Sequence, residues 1–285
     1  MDIIDCIGNT PLVKISDRIY AKLETYNPSG SVKDRMASYI LLQAEKNNDI
    51  KKGGTIIEAS SGNTGVSFSM LAAARGYKSI VIMPYNMSEE RKRMMRLYGA
   101  EIIEVEHNAF REAIQLRDQK LAENPEFWSP KQFSNILNIE CHEDRMGQEI
   151  INQLKDMKLK ASAFVTGGGT GGTFMGVRAA LKNEDDGIKA VFVMPAEDAA
   201  SHGIQGINDG EDFLIDKNLI DETIKIPTED AKERTKRLIK ENGLLVGISS
   251  GANVLAAERW TAENSSNGVV VTFLCDRGER YLSCL

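Results

Sequence analysis

Apolar and polar residues along the chain follow two spacings in turn, one typical of strands and the other typical of helices. Short apolar runs at 55–59, 78–83 and 161–165 are each followed by a segment with apolar residues three or four positions apart. This repeated order of strand, helix and strand predicts parallel sheets covered by helices, and therefore the α/β class. The predicted strands are 12–15, 18–24, 55–59, 78–83, 100–105, 161–165, 190–194 and 268–274, and the predicted helices are 36–45, 66–75, 89–98, 109–124, 144–154, 174–181, 228–241 and 253–262.

Two segments interrupt this alternation. Residues 125–145 contain two prolines, a tryptophan and no clean period, so we predict a long connection between two α/β lobes. Residues 195–220 are rich in glycine, aspartate and asparagine and are predicted to be irregular. The chain shows no fixed-period repeat and no low-complexity tail.

Composition narrows the class of protein. The 285 residues are enough for one large or two ordinary domains with a buried core. A net charge of −6 offers no basic surface for nucleic acid or an anionic membrane, and no apolar run is long enough to span a bilayer. The four cysteines form no CxxC pair, which argues against a disulfide framework or a zinc site. The N-terminus lacks the pattern of a signal peptide. We therefore expect a reduced, cytoplasmic protein without a metal site.

The segment Gly167-Gly-Gly-Thr-Gly-Gly-Thr173 lies between a predicted strand and a predicted helix. Glycines let the backbone approach a ligand closely, and the N–H groups at a helix start bind phosphate, so we predict a phosphate site. The spacing Gly167-x-Gly169-x-x-Gly172 also matches the dinucleotide fingerprint, although the nearest acid after the next strand, Glu197, lies late for it. A dinucleotide-dependent oxidoreductase is therefore an alternative.

Two further strand-to-helix junctions carry hydroxyl groups. Ser60-Ser-Gly-Asn-Thr-Gly65 combines three hydroxyls and an amide with a helix start, which suits a carboxylate better than a metal. A capped turn explains the same residues equally well. At Gly247-Ile-Ser-Ser-Gly-Ala252, one serine could simply cap the helix that follows.

Lys33 stands near the predicted start of the helix 36–45, with Ser29 and Ser31 as candidate caps. The helix dipole disfavours a cation at this end, so the lysine is either solvated or held for chemistry as a neutral amine. Asp34 and Arg35 beside it are expected to orient the turn. All four features follow strands or open helices, which is where α/β sheets bind ligands. A phosphorylated aldehyde cofactor linked to lysine and acting on an amino acid would need each of them.

Four motifs of the chain are Asn27-Pro-Ser-Gly-Ser-Val-Lys33-Asp-Arg35, Ser61-Gly-Asn-Thr-Gly65, Gly169-Thr-Gly-Gly-Thr173 and Gly247-Ile-Ser-Ser-Gly251. Together they resemble the motifs of the cysteine synthase (O-acetylserine sulfhydrylase) and cystathionine β-synthase family. The resemblance implies a pyridoxal 5'-phosphate enzyme with the two-domain tryptophan-synthase-β-like fold (fold type II), each domain a mostly parallel sheet flanked by helices. It further implies a larger cofactor domain, 1–34 with 139–285, and a smaller mobile domain, 35–138, that carries the substrate loop.

The resemblance also implies roles for individual residues. Lys33 matches the Schiff-base lysine, which also acts as acid and base at the substrate α-carbon, and Asn63 matches the partner of the pyridoxal 3′-oxygen. Ser249 matches the neutral partner of the pyridine nitrogen. The phosphate loop is matched by Gly169, Thr170, Gly171, Gly172 and Thr173, and the binders of the substrate carboxylate by Ser60, Ser61, Thr64 and Gln132.

The implied reaction is β-replacement on an activated serine, with O-acetyl-L-serine and sulfide giving L-cysteine and acetate. Cysteine desulfhydration and cystathionine formation use the same aminoacrylate chemistry and stay open, as does a catalytically silent homologue that binds a partner. The resemblance implies a homodimer, with serine acetyltransferase as a candidate partner, and no regulatory domain is expected after Ser283.

Two places depart from the family pattern. Ile136-Leu-Asn-Ile-Glu140 stands where members have a proline, and Asn208-Asp209 follows Ile204-Gln-Gly-Ile207 in a loop near the substrate. A carboxylate at Asp209 could activate water as the second nucleophile, which would turn cysteine into serine and sulfide. The alternative for Asp209 is a solvated acid in a turn.

Overall fold

The computed structural model describes residues 2–60, 62–106, 110–198, 201–207, 214–265 and 267–285. The strands are β1 (Leu12–Ser16), β2 (Ile19–Leu23), β3 (Thr55–Ala59), β4 (Lys78–Pro84), β5 (Glu101–Val105), β6 (Phe127–Trp128), β7 (Ala161–Gly167), β8 (Lys189–Pro195), β9 (Glu222–Ile226) and β10 (Val269–Leu274). The α-helices are α1 (Lys33–Asn47), α2 (Asn63–Arg75), α3 (Glu89–Leu97), α4 (Phe110–Glu123), α5 (Leu137–Cys141), α6 (Gln148–Asp156), α7 (Gly172–Glu184), α8 (Thr228–Asn242) and α9 (Ile248–Glu263). A π-helix, His142–Gly147, joins α5 to α6.

The backbone divides into two compact units. The first contains the described residues of 1–7 and 27–137, and its sheet has four parallel strands in the order β5-β4-β3-β6. Every residue of β3 is buried, as expected for a central parallel strand covered on both faces. Ile57 and Ile82 pack with Ala113 of α4 in one cluster, while Val66 of α2 packs with Val81 in another.

The second unit contains residues 8–26 and the described residues of 138–285. Its sheet has six strands in the order β1-β2-β10-β7-β8-β9, all parallel to their neighbours except the pair of β1 and β2. The buried core combines Val165 and Val191 of the sheet with Ala256 and Trp260 of α9. The α/β class and the two mostly parallel sheets flanked by helices are thus confirmed.

The predicted long connection at 125–145 is wrong in part. Phe127–Trp128 pairs with Thr55 and Ile56 as β6, and helical structure begins at Leu137 and continues through the π-helix. This segment packs closely on α7, since a Cβ on Gly176 would lie 2.3 Å from the Ile139 carbonyl oxygen. The helix predicted at 144–154 is therefore confirmed but begins earlier, at Leu137, and its first four predicted residues belong to the π-helix, whose spacing differs from the period of 3.6.

Three smaller differences concern one strand, the start of one helix and the boundaries of the domains. The strand β9 was not predicted, although Glu222–Ile226 alternates polar and apolar residues and pairs with β8. Helix α1 begins at Lys33, three residues before its predicted start. The compact units differ from the predicted domains at residues 1–7, 27–34 and 138, and the predicted functional roles of those domains stay predictions.

Candidate active site

The turn that carries Lys33 is held by the buried carboxylate of Asp34. This carboxylate accepts hydrogen bonds from the backbone N–H of Ser29 at 2.7 Å, from the Ser29 hydroxyl, and from the Ser67 hydroxyl of α2 at 2.5 Å. The Lys33 backbone N–H donates to Ser31 Oγ at 3.3 Å. Asp34 therefore orients the turn as expected, and it ties the start of α1 to the first half of α2.

The Lys33 side chain is not used in this arrangement. Its Nζ makes no hydrogen bond or ion pair with the described residues of its unit. The backbone is thus fixed at a helix start while the amine stays available, which is the arrangement that a nucleophilic lysine requires.

Ser60 closes the junction between β3 and α2. Its buried hydroxyl accepts from the N–H of Gly62 at 3.1 Å and from that of Gly65 at 2.9 Å. A hydroxyl that accepts twice still has its own O–H to donate, so the cap and a role toward a substrate carboxylate are compatible. Asn63 opens α2. Ser61 lies outside the described residues.

Thr64 and Gln132 meet at the same junction. The Thr64 hydroxyl donates to Gln132 Oε1 at 2.6 Å, and Gln132 Nε2 donates to the Ala59 carbonyl at 3.0 Å. The Gln132 backbone N–H donates to Glu58 Oε2 at 3.1 Å. The structure therefore brings Ser60, Thr64 and Gln132 together at the carboxyl end of β3, while their role toward a substrate stays a prediction.

Sequence reasoning missed the ion pair between Glu58 and Arg117, which lies next to this junction. Glu58 in β3 and Arg117 in α4 are both buried, with 2.9 Å between Glu58 Oε1 and the guanidinium nitrogen. Burial raises the pKa of the Glu58 carboxyl above its ordinary value, and the attraction of Arg117 opposes this only in part. The signal in the sequence was an acid among the apolar residues of the strand 55–59.

The glycine-rich segment connects β7 to α7 in the second unit. Gly171 at the helix start has a φ of +91°. A Cβ on Gly172 would lie 2.1 Å from Asn138 Oδ1, and one on Gly169 would lie 2.8 Å from the Gly206 carbonyl oxygen. Neighbouring chain therefore leaves no room for side chains at these positions.

The start of α7 has the features of an anion site. Gly171 provides no side-chain cap, and among the described residues the backbone N–H groups of Thr173 and Phe174 have no acceptor. Two threonine hydroxyls flank them: Thr170 Oγ1 accepts from Asn138 Nδ2 at 2.9 Å, and Thr173 Oγ1 lies 3.1 Å from His142 Nε2. This donor set fits a phosphate group.

Ser249 lies in the first turn of α9 and does not cap it. The cap position is Gly247, and the neighbouring Ser250 hydroxyl accepts from the Cys275 backbone N–H at 2.9 Å. The interpretation of a capping serine is therefore wrong. Ser249 is buried, and its hydroxyl makes no side-chain hydrogen bond to any residue that the structure describes. A neutral hydroxyl in this state fits a ring nitrogen.

Asn253 is a second residue that sequence reasoning missed. Its fully buried amide accepts from the Gly167 backbone N–H at 2.9 Å and donates to the Phe273 carbonyl at 3.2 Å. One side chain of α9 thus holds the beginning of the glycine-rich segment next to the end of β10. The signal was a lone amide in the apolar stretch that follows Ser250.

The site residues predicted from sequence fall into two sets, one in each unit. Lys33, Ser60, Asn63, Thr64 and Gln132 lie in the first. The glycine-rich segment and Ser249 lie in the second. Asp209 lies outside the described residues. In the described part of the chain no three His, Cys, Asp or Glu side chains cluster as metal ligands would, and no helix there is long and apolar enough to cross a membrane.

Comparison with known proteins identifies the family. A model of pyridoxal-phosphate dependent enzymes matches residues 3–276. The probable cysteine synthase of Bacillus subtilis (strain 168) is 39% identical over 297 residues, which is 98% of this chain and 95% of that protein.

Solved structures agree with this assignment. A hydrogen sulfide-producing enzyme from Fusobacterium nucleatum has a TM-score of 0.92 and 37% identity, covering 99% of both chains. The O-acetylserine dependent cystathionine beta-synthase from Helicobacter pylori has a TM-score of 0.93 and 33% identity, covering 99% of this chain and 97% of that one. The cofactor class decides against the dinucleotide-dependent alternative. The chain belongs to the cysteine synthase family of pyridoxal-phosphate dependent enzymes that perform β-replacement.

Proposed function

We propose that this enzyme replaces the acetate of O-acetyl-L-serine with sulfide, giving L-cysteine and acetate. The observation that carries the proposal is the hydrogen bond between Asp34 and Ser67. It places the start of α1, with the available amine of Lys33, beside the helix whose start holds Ser60 and Thr64. The amine that we propose to react and the groups that we propose to bind a carboxylate thus lie at the starts of two helices that are tied together.

Bound pyridoxal phosphate would supply an electron sink for negative charge at the substrate α-carbon. Lys33 would hold the cofactor through its amine and would accept and return the proton at the α-carbon. The N–H groups at the start of α7, with Thr170 and Thr173, would bind the phosphate. Asn63 would donate to the 3′-oxygen of the ring.

Ser249 would face the ring nitrogen. A hydroxyl cannot hold that nitrogen in its protonated state as a carboxylate would, so the ring is a weaker electron sink. This favours loss of a good leaving group from the β-carbon. Ser60, Ser61 and Gln132 would bind the substrate carboxylate through their hydroxyl and amide donors, and Thr64, whose hydroxyl proton goes to Gln132 Oε1, would do so through its backbone N–H.

A second candidate is the release of sulfide from cysteine, because one similar structure is a hydrogen sulfide-producing enzyme. In this reaction water replaces sulfide as the second nucleophile, and Asp209 is the candidate base. Replacing Asp209 with Asn should then reduce sulfide release from cysteine, and unchanged release would remove Asp209 from the hypothesis. Cystathionine formation is supported in the same way by the enzyme from Helicobacter pylori.

Steady-state comparison of O-acetylserine, O-phosphoserine, serine and cysteine as first substrates tests the proposal. We expect the highest kcat/KM for O-acetylserine with sulfide, and a visible cofactor band that changes when O-acetylserine is added. A higher kcat/KM for cysteine would favour the second candidate. A band that no amino acid changes would indicate a silent homologue. The homodimer, the cytoplasmic location and binding of serine acetyltransferase also stay predictions.

A further inference from the structure

The buried carboxylate of Glu58 is bonded to the backbone of residues proposed to bind, or adjacent to those proposed to bind, the carboxylate of the substrate. Glu58 is 1% exposed and is separated from Ser60 by a single residue. Burying a carboxylate is costly unless it is paired, and a negative charge here would oppose the binding of a second anion. Both costs, the burial of the Glu58 charge and its repulsion of a substrate anion, must therefore be offset by other interactions.

The hydrogen bonds of Glu58 point to its role. Oε1 accepts from the N–H of Ala59 at 2.7 Å and from Arg117 at 2.9 Å, while Oε2 accepts from the N–H of Gln132 at 3.1 Å. One side chain thus fixes the backbone on both sides of the cluster: the residue before Ser60 and Gln132 itself.

With the backbone of Ala59 and Gln132 held by Glu58, two partners determine which way the Gln132 amide faces. Nε2 donates to the Ala59 carbonyl and Oε1 accepts from the Thr64 hydroxyl, so both ends of the amide have a complementary partner. Turning the amide around would set its oxygen against the Ala59 carbonyl oxygen, which is unfavourable. The donor nitrogen, and not the oxygen, is therefore held at the junction where an anion is expected.

Arg117 removes the electrostatic conflict. Its guanidinium reaches Glu58 from α4 and also contacts Asp118 at 2.9 Å, so it is held from two sides. The positive charge offsets that of Glu58, which can then serve as a hydrogen-bond acceptor without repelling a substrate anion.

We propose that Glu58, neutralised by Arg117, is a positioning residue that holds Gln132 in the orientation that binds the carboxylate of the first substrate. The inference rests on the proposed function for the identity of that anion. Because every α-amino acid carries the same carboxylate, the inference applies to whichever first substrate the enzyme uses.

The variant Glu58→Gln tests this, since it keeps the shape but replaces one acceptor oxygen with a donor. We expect the KM and the Kd of the amino-acid substrate to rise about tenfold, the effect of losing one charge-assisted hydrogen bond. Cofactor content, kcat at saturation and the KM for sulfide should not change. The Kd is measured from the change in the visible cofactor band.

The matched control is Glu45→Gln, which breaks the ion pair of Glu45 with Arg75 at the other ends of α1 and α2. It should leave every constant unchanged. A double-mutant cycle separates positioning from general loosening: in a Gln132→Ala background, Glu58→Gln should have no further effect on Kd. Equal effects in both backgrounds would overturn the inference.

If Glu58→Gln does not fold, Glu58→Asp keeps the charge for Arg117 but withdraws the oxygen from Gln132, and the same rise in Kd is expected. An unchanged Kd in either folded variant would contradict the proposal. A wild-type enzyme whose band responds to no amino acid would instead contradict the proposed function, so the two failures are distinguishable.

Discussion

The two strand-to-helix junctions after β3 and β7 have the same local architecture but are completed by different groups. Both follow a parallel strand and both have a glycine at the helix cap position. At α2, side chains complete the junction: the Ser60 hydroxyl takes two backbone N–H groups, and Gln132 and Thr64 pair beside it. At α7, glycines let neighbouring chain pack against the segment, and the N–H groups of Thr173 and Phe174 have no acceptor among the residues that the structure describes.

Because of this difference, the two junctions suit different anions. Open N–H groups at a helix start favour a fully ionised, compact anion such as phosphate. Hydroxyl and amide side chains supply fewer but directed donors, which suit a planar carboxylate that must be distinguished from other anions. We therefore expect the α2 junction to fail when its charges or hydroxyls change, and the α7 junction to fail when a side chain is added at one of its glycines.

The largest effect is expected from Arg117→Met. Without the guanidinium, Glu58 is a buried carboxylate without its counter-ion, which costs about 3–5 kcal/mol. The pKa of Glu58, already raised by burial, should rise further. A raised pKa means that the folded state binds more protons, so the stability loss should be greatest at high pH and should shrink as pH falls toward the ordinary value of 4.5.

Urea unfolding of the Arg117→Met variant at pH 8 and pH 5.5 measures this dependence. The double variant Arg117→Met with Glu58→Gln removes the titrating carboxyl of Glu58, so its stability loss relative to the wild type should no longer grow from pH 5.5 to pH 8 in the way that the loss of the single variant does. A variant whose stability falls equally at both pH values would show that charge at Glu58 does not determine the loss.

A smaller loss of stability is expected from Gly172→Ala, together with weaker binding of pyridoxal phosphate. The added methyl would lie 2.1 Å from Asn138 Oδ1, so the segment or the Asn138 amide bonded to Thr170 must shift, at about 1–3 kcal/mol. Since either shift disturbs the helix start or the Thr170 hydroxyl proposed to bind the phosphate, the Kd of pyridoxal phosphate should rise roughly tenfold to a hundredfold. Equilibrium dialysis measures the Kd. Gly187→Ala, an exposed glycine of the same unit, is the control and should bind the cofactor normally.

The smallest effect is expected from Ser60→Ala. Loss of the hydroxyl leaves two backbone N–H groups without their acceptor, and removing such a cap costs about 1 kcal/mol. The KM for the amino acid should rise, while the Kd of pyridoxal phosphate should stay unchanged because the α7 junction is untouched. Steady-state kinetics and dialysis on the same preparation measure both. A weaker cofactor with an unchanged KM would reverse the assignment of the two junctions.

Local sequence was sufficient for the features that depend on short-range pattern. Periodicity predicted most strands and helices, and the residue types at 60–65 and 167–173 predicted where polar groups meet helix starts. The same logic could not find β6, because two residues such as Phe127 and Trp128 carry no period. It also missed the helical residues 137–143, which form α5 and the first turn of the π-helix.

Contacts between distant residues explain the other omissions. Glu58 and Arg117 are 59 positions apart, and neither has a neighbour in sequence that announces the pair. Asn253 meets Gly167 from 86 positions away. Such pairs depend on how α4 and α9 pack on their sheets, which the periodicity of each helix does not determine.

The proposed attachment of the cofactor to Lys33 can be tested chemically. The purified enzyme is treated with borohydride, digested, and mapped by mass spectrometry. We expect the cofactor-derived mass on Lys33, and we expect the variant Lys33→Ala neither to keep the mass nor to turn over O-acetylserine. A cofactor-derived mass on any other lysine would show that Lys33 does not hold the cofactor.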